Sequence, residues 1–265
     1  MKELTNFTVK FEKKKNKRRF IILLSTVTVL GLMSFGVVYA KGSATNQKKN
    51  EVFGNMENYV PGINMELDKV NMEQEEKVEK EYSKALERAL ELLSIPEGYT
   101  LKDVQSQKQN KADVWVFRYE KASGQNNGLN GEHYSFVVDK NNNKILGFMW
   151  MDKKFSTGEL PSKEETKTIA KALLDKVEPG MFAKLKNLWI DKHDEVIAVK
   201  DEKYNESVNL TISGTKYKCY LAEQDNYAWV IVGPGGNVIT FEQGIIWNNG
   251  RVTEKWLHDS WLKNK

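Results

Sequence analysis

The chain has 265 residues, 29% charged and 40% hydrophobic, a balance that excludes a disordered polymer and fits one large or two modest domains. Its formal charge of +4 is unevenly held, because residues 1–20 carry eight Lys/Arg against Glu3 and Glu12, a local +6 that leaves the rest at −2. A body so close to neutral excludes nucleic acid as the main ligand, since phosphate binding needs a concentrated basic surface, and the lone Cys219 excludes an intrachain disulfide.

The basic tail, residues 1–19, precedes Phe20 to Ala40, an uncharged run that as a helix spans roughly 30 Å, the thickness of a bilayer core. Basic residues on its N-terminal side hold that side in the cytoplasm, so the body is expected outside it, single-pass. Val38-Tyr39-Ala40 also fits a signal-peptidase site, with secretion after cleavage at Ala40 as the second reading. The run exceeds the usual signal-peptide core, which favours an uncleaved anchor. Residues 41–69 are polar, Asn-rich and aperiodic, and read as a spacer.

Two units follow, at 70–157 and 158–265. In the first, Asn71 and Gln74 suggest a capping box. Val78, Tyr82, Ala85, Leu86, Ala89, Leu90 and Leu93 then recur at helical spacing, and Pro96 and Gly98 stop the helix. In the second, Ser162 and Glu165 form the box, Ile169, Ala172, Leu173 and Val177 the stripe, and Pro179 and Gly180 the stop. Each helix leads into strands of period two. HYSFVVDKNNNKILGF (His133–Phe148) aligns without a gap on NYAWVIVGPGGNVITF (Asn226–Phe241), placing Tyr134 on Tyr227, Phe136 on Trp229 and Phe148 on Phe241. Between helix stop and repeated hairpin the second unit carries 11 more residues. There, VNLTI and KYKCYL flank Ser213-Gly214-Thr215, read as a hairpin loop, and Asp191–Glu195 reads as a charged turn. A last hairpin is expected at Asn248-Asn249-Gly250. A helix followed by strands implies an α+β fold, here two tandem modules of a helix on an antiparallel sheet.

The residues name no reaction. His133, His193 and His258 lie in separate segments without helical ligand spacing, so no zinc motif is present and no metal or cofactor is expected. GPGGN (Gly233–Asn237) sits in a hairpin rather than before a helix, which removes a dinucleotide loop. His258-Asp259-Ser260 holds the triad letters in a row, whereas triad members converge from separate segments. Cys219 alternates as an inward strand residue, the more frequent place for a free thiol than a catalytic one. Glu132, Asp139 and Glu242 are the candidates for a carboxylate hydrolase. Trp247, Trp256 and Trp261 could stack on a glycan or clasp a peptide if exposed, or close the second core if buried. His133 and Asp139 differ between the repeats, being Asn226 and Val232 in the second, and so join the Trp residues as candidate partner contacts.

The pattern of helix, Pro/Gly break and aromatic-alternating strands ending in YSFVVDKNNNKILGF resembles the PepSY and YcdB/YcdC-type extracytoplasmic repeats of bacteria. Asp139 and Lys144-Ile145-Leu146 match the Asp-turn-hydrophobic ending, and Val232 and Gly-Pro-Gly-Gly depart from it in the second unit. The resemblance is best over residues 71–155. It implies tandem α+β modules outside the membrane that bind or restrain a peptidase or another envelope partner, with no catalytic residue to transfer. The expectation is a non-enzymatic, membrane-anchored envelope protein that binds a protein or peptide, with a hydrolase and a wall-glycan binder as alternatives.

Overall fold

The computed structural model describes residues 77, 79–201 and 206–265. The tail, the apolar run 20–40, the spacer, the Asn71–Gln74 box and Val78 lie outside them. Among the described residues no helix is long and apolar enough to cross a membrane.

Helix α1 covers residues 79–92. Leu93 N still donates to Ala89 O at 2.7 Å, and Gly98 at φ +79° then turns the chain into β1 (Tyr99–Gln109). The stripe is Ala85, Ala89 and Leu93, flanked by Tyr82, Leu86 and Leu92, while Leu90 faces solvent. Strands β2 (Ala112–Lys121), β3 (His133–Asp139) and β4 (Ile145–Met151) follow in a meander. Helix α2 (Lys163–Val177) opens on the expected capping box. Ser162 Oγ accepts from Glu165 N and Glu165 Oε2 accepts from Ser162 N. Its buried stripe is Thr166, Ala170, Leu174 and Val177, one residue round from the expected face, which leaves Ala172 exposed. The short α3 (Met181–Lys184) leads to β5 (Lys186–Lys200), β6 (Ser207–Leu221), β7 (Asn226–Val232) and β8 (Val238–Ile245), and α4 (Asp259–Leu262) ends the chain.

The eight strands form one antiparallel sheet in the order β1-β2-β3-β4-β8-β7-β6-β5. The two units are therefore halves of a single sheet, joined where β4 meets β8. Three pairs make the junction: Gly147 with Glu242, Phe148 with Phe241, and Met149 with Thr240. Phe148 and Phe241 are the equivalent residues of the repeat, so the halves meet about a local two-fold, each presenting the same strand to the other.

Both faces are buried. One carries α1 and α2 over an aromatic ladder of Trp115, Phe117, Tyr119, Tyr134, Phe136 and Phe241. Phe117 stacks on Phe136 with ring centroids 4.7 Å apart. The other face holds Val114, Val116, Val137, Met149, Ile231 and Ile239. It is closed by Phe155 from the 3-10 turn Lys153–Ser156, by the far end of the β5–β6 hairpin (Ile197, Val199, Ile212), and by Trp256 and Leu257 of the C-terminal segment.

Two expected breaks are absent. Ser213-Gly214-Thr215 is no loop, because β6 runs through it, and Asp191–Glu195 is no turn, because β5 does. The two stretches pair across the hairpin, His193 opposite Gly214. Gly214 is glycine for space: a Cβ there would stand 2.5 Å from Ile231 Cγ2 and 3.0 Å from Ile239 Cδ1. The other turns fall as read. Asn143, Gly235, Gly236 and Asn249 take positive φ, and Trp247 bridges Arg251 around Asn248–Gly250.

Gly147 offers a test of the junction. A Cβ there would lie 2.7 Å from Phe241 O and 3.1 Å from Leu257 Cδ1. Gly147→Val is expected to cost about 1–3 kcal/mol by overpacking, read from the midpoint of urea unfolding. An unchanged midpoint would show that the halves do not depend on their seam.

Candidate functional site

Strand parity builds a line of charge on the second face. Residues 118 and 120 of β2 and 133 and 135 of β3 share that face, since Arg118 pairs with Ser135 and Glu120 with His133. Arg118 forks onto Asp259, Nη1 to Oδ1 at 2.7 Å and Nη2 to Oδ2 at 3.2 Å, and its Nε donates to Glu120 at 2.8 Å. Asp259 Oδ2 also accepts from Asn130 N at 2.6 Å. Beside it, His133 has Nδ1 2.8 Å from Ser135 Oγ and Nε2 3.8 Å from Asp259 Oδ2.

A second knot centres on Glu242 of β8. Arg251 binds it through Nη2 at 2.6 Å and Nη1 at 3.0 Å, and His258 Nε2 lies 3.1 Å away. His258 Nδ1 stands 3.9 Å from Glu195 Oε1, which His193 Nε2 approaches to 3.0 Å. Lys216 lies over the Trp229 ring at 4.1 Å. All three histidines therefore enter one network, though they are 60 or more residues apart in sequence. Among the described residues, no group of three or more His, Cys, Asp or Glu side chains is arranged to hold a metal ion.

The electrostatics follow burial and pairing. Burial pushes the Glu242 carboxyl up, but His258 and Arg251 outweigh it and hold the group at about 2. Asp259 is likewise lowered, burial being outweighed by His133 and Arg118. Burial brings His133 down to about 4 against the pull of Asp259. Burial also brings Lys216 down to about 8, with Glu242 opposing. Next to the network lies a pocket of about 220 Å³, walled by Asn130, Gly131, His133, Met149, Met151, Asp194 to Ile197 and His258 to Ser260.

The structure separates the residues singled out from sequence. His133 is only 2% exposed, so it is an internal member of the network rather than a surface contact. Asp139 caps its turn, accepting from Asn141 N at 2.8 Å and Asn142 N at 3.2 Å. The tryptophans form no common platform. Trp256 plugs the second core, with its indole N–H donated to Lys108 O at 2.9 Å and its ring edge-on to half-buried Trp261 at 5.0 Å. Trp247 is 48% exposed and sits with Tyr227 and Trp189 around Lys218. Glu132 binds Lys153 N and Asn126 Nδ2 and faces Lys121, a set of partners that neither Glu242 nor Asp139 shares. Cys219 is fully buried, on the helix side of the sheet, opposite His193 and His258, and burial pushes its thiol up to about 12.

What sequence reading missed is the role of Arg118, Arg251, His258 and Asp259. The visible signal was three charged groups in a tail otherwise marked by Trp and Leu. Only the docking of that tail reveals their partners.

Two measurements probe the network. Arg251→Met leaves Glu242 buried with His258 as its remaining partner and is expected to cost about 3–5 kcal/mol, measured by thermal or urea unfolding. The second is pH dependence. His133 falls from its usual 6.5 to about 4 in the fold, so its contribution is complete above pH 6.5 and is lost as pH drops toward 4. Glu242 falls from 4.5 to about 2, so its contribution is present above pH 4.5 and is lost as pH drops toward 2. Tm measured against pH should decline in both windows. His133→Gln should flatten the upper window alone, and an unchanged slope there would remove His133 from the account.

A family model described as the YcdB, YcdC repeated domain matches residues 82–216, from within α1 to the middle of β6. No curated protein and no solved structure matches the chain. The match spans just over half of the sequence and agrees with the helix-and-strand repeat seen in both halves. The chain belongs to the YcdB, YcdC repeated-domain family.

Proposed function

We propose that this is a membrane-anchored, extracytoplasmic, non-enzymatic protein that binds or regulates a protein or peptide partner at the bacterial cell envelope. The anchor rests on the uncharged run 20–40 behind a basic tail. The binding role is carried by one observation. Strand β5 is an edge of the sheet, yet the β5–β6 hairpin presents Leu188, Trp189, Val196 and Val208, each more than a third exposed. Soluble sheets defend their edges with charge, proline or cover, and an edge strand flanked by exposed apolar side chains suits a partner. The hydrolase reading draws less support, because Glu242 and Glu132 are committed to ion pairs and Asp139 to a turn, and Glu242 is held at about 2, far from a general acid at neutral pH. A glycan-binding role keeps a specific observation in its favour: Trp189 and Trp247 are both exposed beside Lys218.

A photo-reactive residue in place of Leu188 in the full-length chain, irradiated in intact cells, should yield a discrete protein or peptide adduct. The same residue in place of Lys102 on the opposite edge should yield none. If neither position gives a protein adduct, and wall fragments quench the tryptophan fluorescence instead, the glycan role replaces the partner role.

A further inference from the structure

The far end of β5 is not free. Ala198 N donates to Asn130 O at 2.7 Å and Lys200 N to Asn126 Oδ1 at 2.8 Å, so the loop after β2 closes that part of the edge. These bonds point away from β6. In an antiparallel pair every second residue turns both N–H and C=O outward, so the same parity puts those of Asp194 and Val196 on the edge. Further back, Lys192 N is taken by the Asp191 carboxylate at 3.0 Å. Ahead of Ala198 the open edge thus forms a notch at Asp194 and Val196, beside the covering loop. The 220 Å³ pocket lies at this notch, in the gap between β5, Asn130-Gly131 and the start of α4.

The pocket has a sign. Its walls carry the carboxylates of Glu195 and Asp259 and no lysine or arginine, whereas the Asp194 carboxylate lies on the outer face against Ser213 and Lys192. Arg118 reaches Asp259 from outside the walls, and His193 and His258 are the partners of Glu195. His133 adds an independent sign of a missing partner. It is 2% exposed, uses Nδ1 on Ser135, and leaves Nε2 in the pocket wall, 3.8 Å from Asp259 Oδ2 and so beyond hydrogen-bonding reach. At about 220 Å³ the space is below the ~300–1,000 Å³ of small-molecule sites and suits one long side chain.

We propose that an extended peptide adds to β5 at Asp194 and Val196 and sends an arginine or lysine side chain into the pocket between Glu195 and Asp259. This rests on the partner-binding role and specifies its chemistry. An added strand turns alternate side chains to the face that carries Glu195 and Ile197, which is the pocket side. The intervening residues lie on the outer face beside Val196, which is 57% exposed and would be covered by an apolar neighbour. The motif sought is thus a basic residue between two apolar ones in an extended segment.

The test uses the full-length chain in detergent and three labelled decapeptides of alternating valine and threonine. One has a central arginine between valines, one has glutamate there, and one keeps the arginine but has N-methylated backbone amides. The arginine peptide should bind, and the other two should bind about tenfold or more weakly. Val196→Pro removes an outward N–H without removing a bond to β6, so it should weaken binding while far-UV CD is unchanged. Glu195→Gln should reduce the preference for arginine over glutamate while far-UV CD is unchanged. Equal binding of the arginine and glutamate peptides overturns the pocket, and full binding of the N-methylated peptide overturns the edge. If no peptide binds but residue 188 still traps a protein in cells, this assignment falls and the partner role stands. If neither occurs, both fall.

Discussion

The seam between β4 and β8 is the constraint on which the rest depends. A helix on a four-stranded sheet covers one face only, and each half would also expose an edge. The halves solve the edge together, each using the copy of the same strand, so that Phe148 meets Phe241 across the local two-fold. A self-complementary strand needs no separate partner surface to evolve, which is the logic of a symmetric dimer carried out within one chain. The contact is short, three residue pairs, and its tightness is set by Gly147, whose missing Cβ lets Phe241 O and Leu257 approach.

Joining the halves leaves the second face of a wide sheet to be covered, and that face is apolar. The β5–β6 hairpin and the C-terminal segment supply the cover, and the segment is short. Trp256 and Leu257 give it a plug, but a plug alone does not fix direction. The ion pairs do. Arg118 with Asp259 and Arg251 with Glu242 tie the segment to β2 and β8 at two points. Buried pairs of this kind add little net stability over an apolar replacement, because desolvation offsets most of the attraction. Their value here is registry: a slip of the segment strands four buried charges at once. The histidines sit in the same lattice, so the network is coherent as a fastening even though its members would suit a catalytic list.

The sequence made the α+β class, the stops of both helices and the start of α2, the repeat and most turns legible, because each rests on local chemistry: proline and glycine stops, a capping box, period-two alternation. It misled where glycine had two meanings. Gly214 looked like a turn beside polar neighbours, and it is a packing gap inside a 15-residue strand. The false turn at Asp191–Glu195, suggested by its run of charge, lies directly opposite in the same hairpin. The helix stripes were read one residue off in α2 because alanine and leucine at neighbouring positions serve either face equally well by period alone. The single sheet was hidden for a different reason. Tandem copies and fused copies have the same sequence pattern, and the difference lies in a pairing between residues 93 apart. The charged site was hidden for that reason too, as Arg118 reaches Asp259 across 141 residues and Glu195 meets His258 across separate segments.

The halves are unequal in one place, and that place is where binding is assigned. The 11 additional residues of the second unit lengthen its first two strands to 15 residues each, against 11 and 10 in the first. One consequence is structural, as Ile197, Val199 and Ile212 reach over the second core. The other is an asymmetry of edges. Strand β1 ends the sheet with Lys102, Asp103, Gln105 and Lys108 exposed and Leu101 as its one exposed large apolar residue, a mostly polar margin that discourages further pairing. Strand β5 ends it with exposed Trp189 and Val196 and a notch that the neighbouring loop stops short of closing. A duplication that merely doubled a scaffold would leave both edges alike. The lengthened hairpin makes one edge different from the other: Ile197, Val199 and Ile212 turn inward to complete the core, while Trp189 and Val196 of the same hairpin stay exposed.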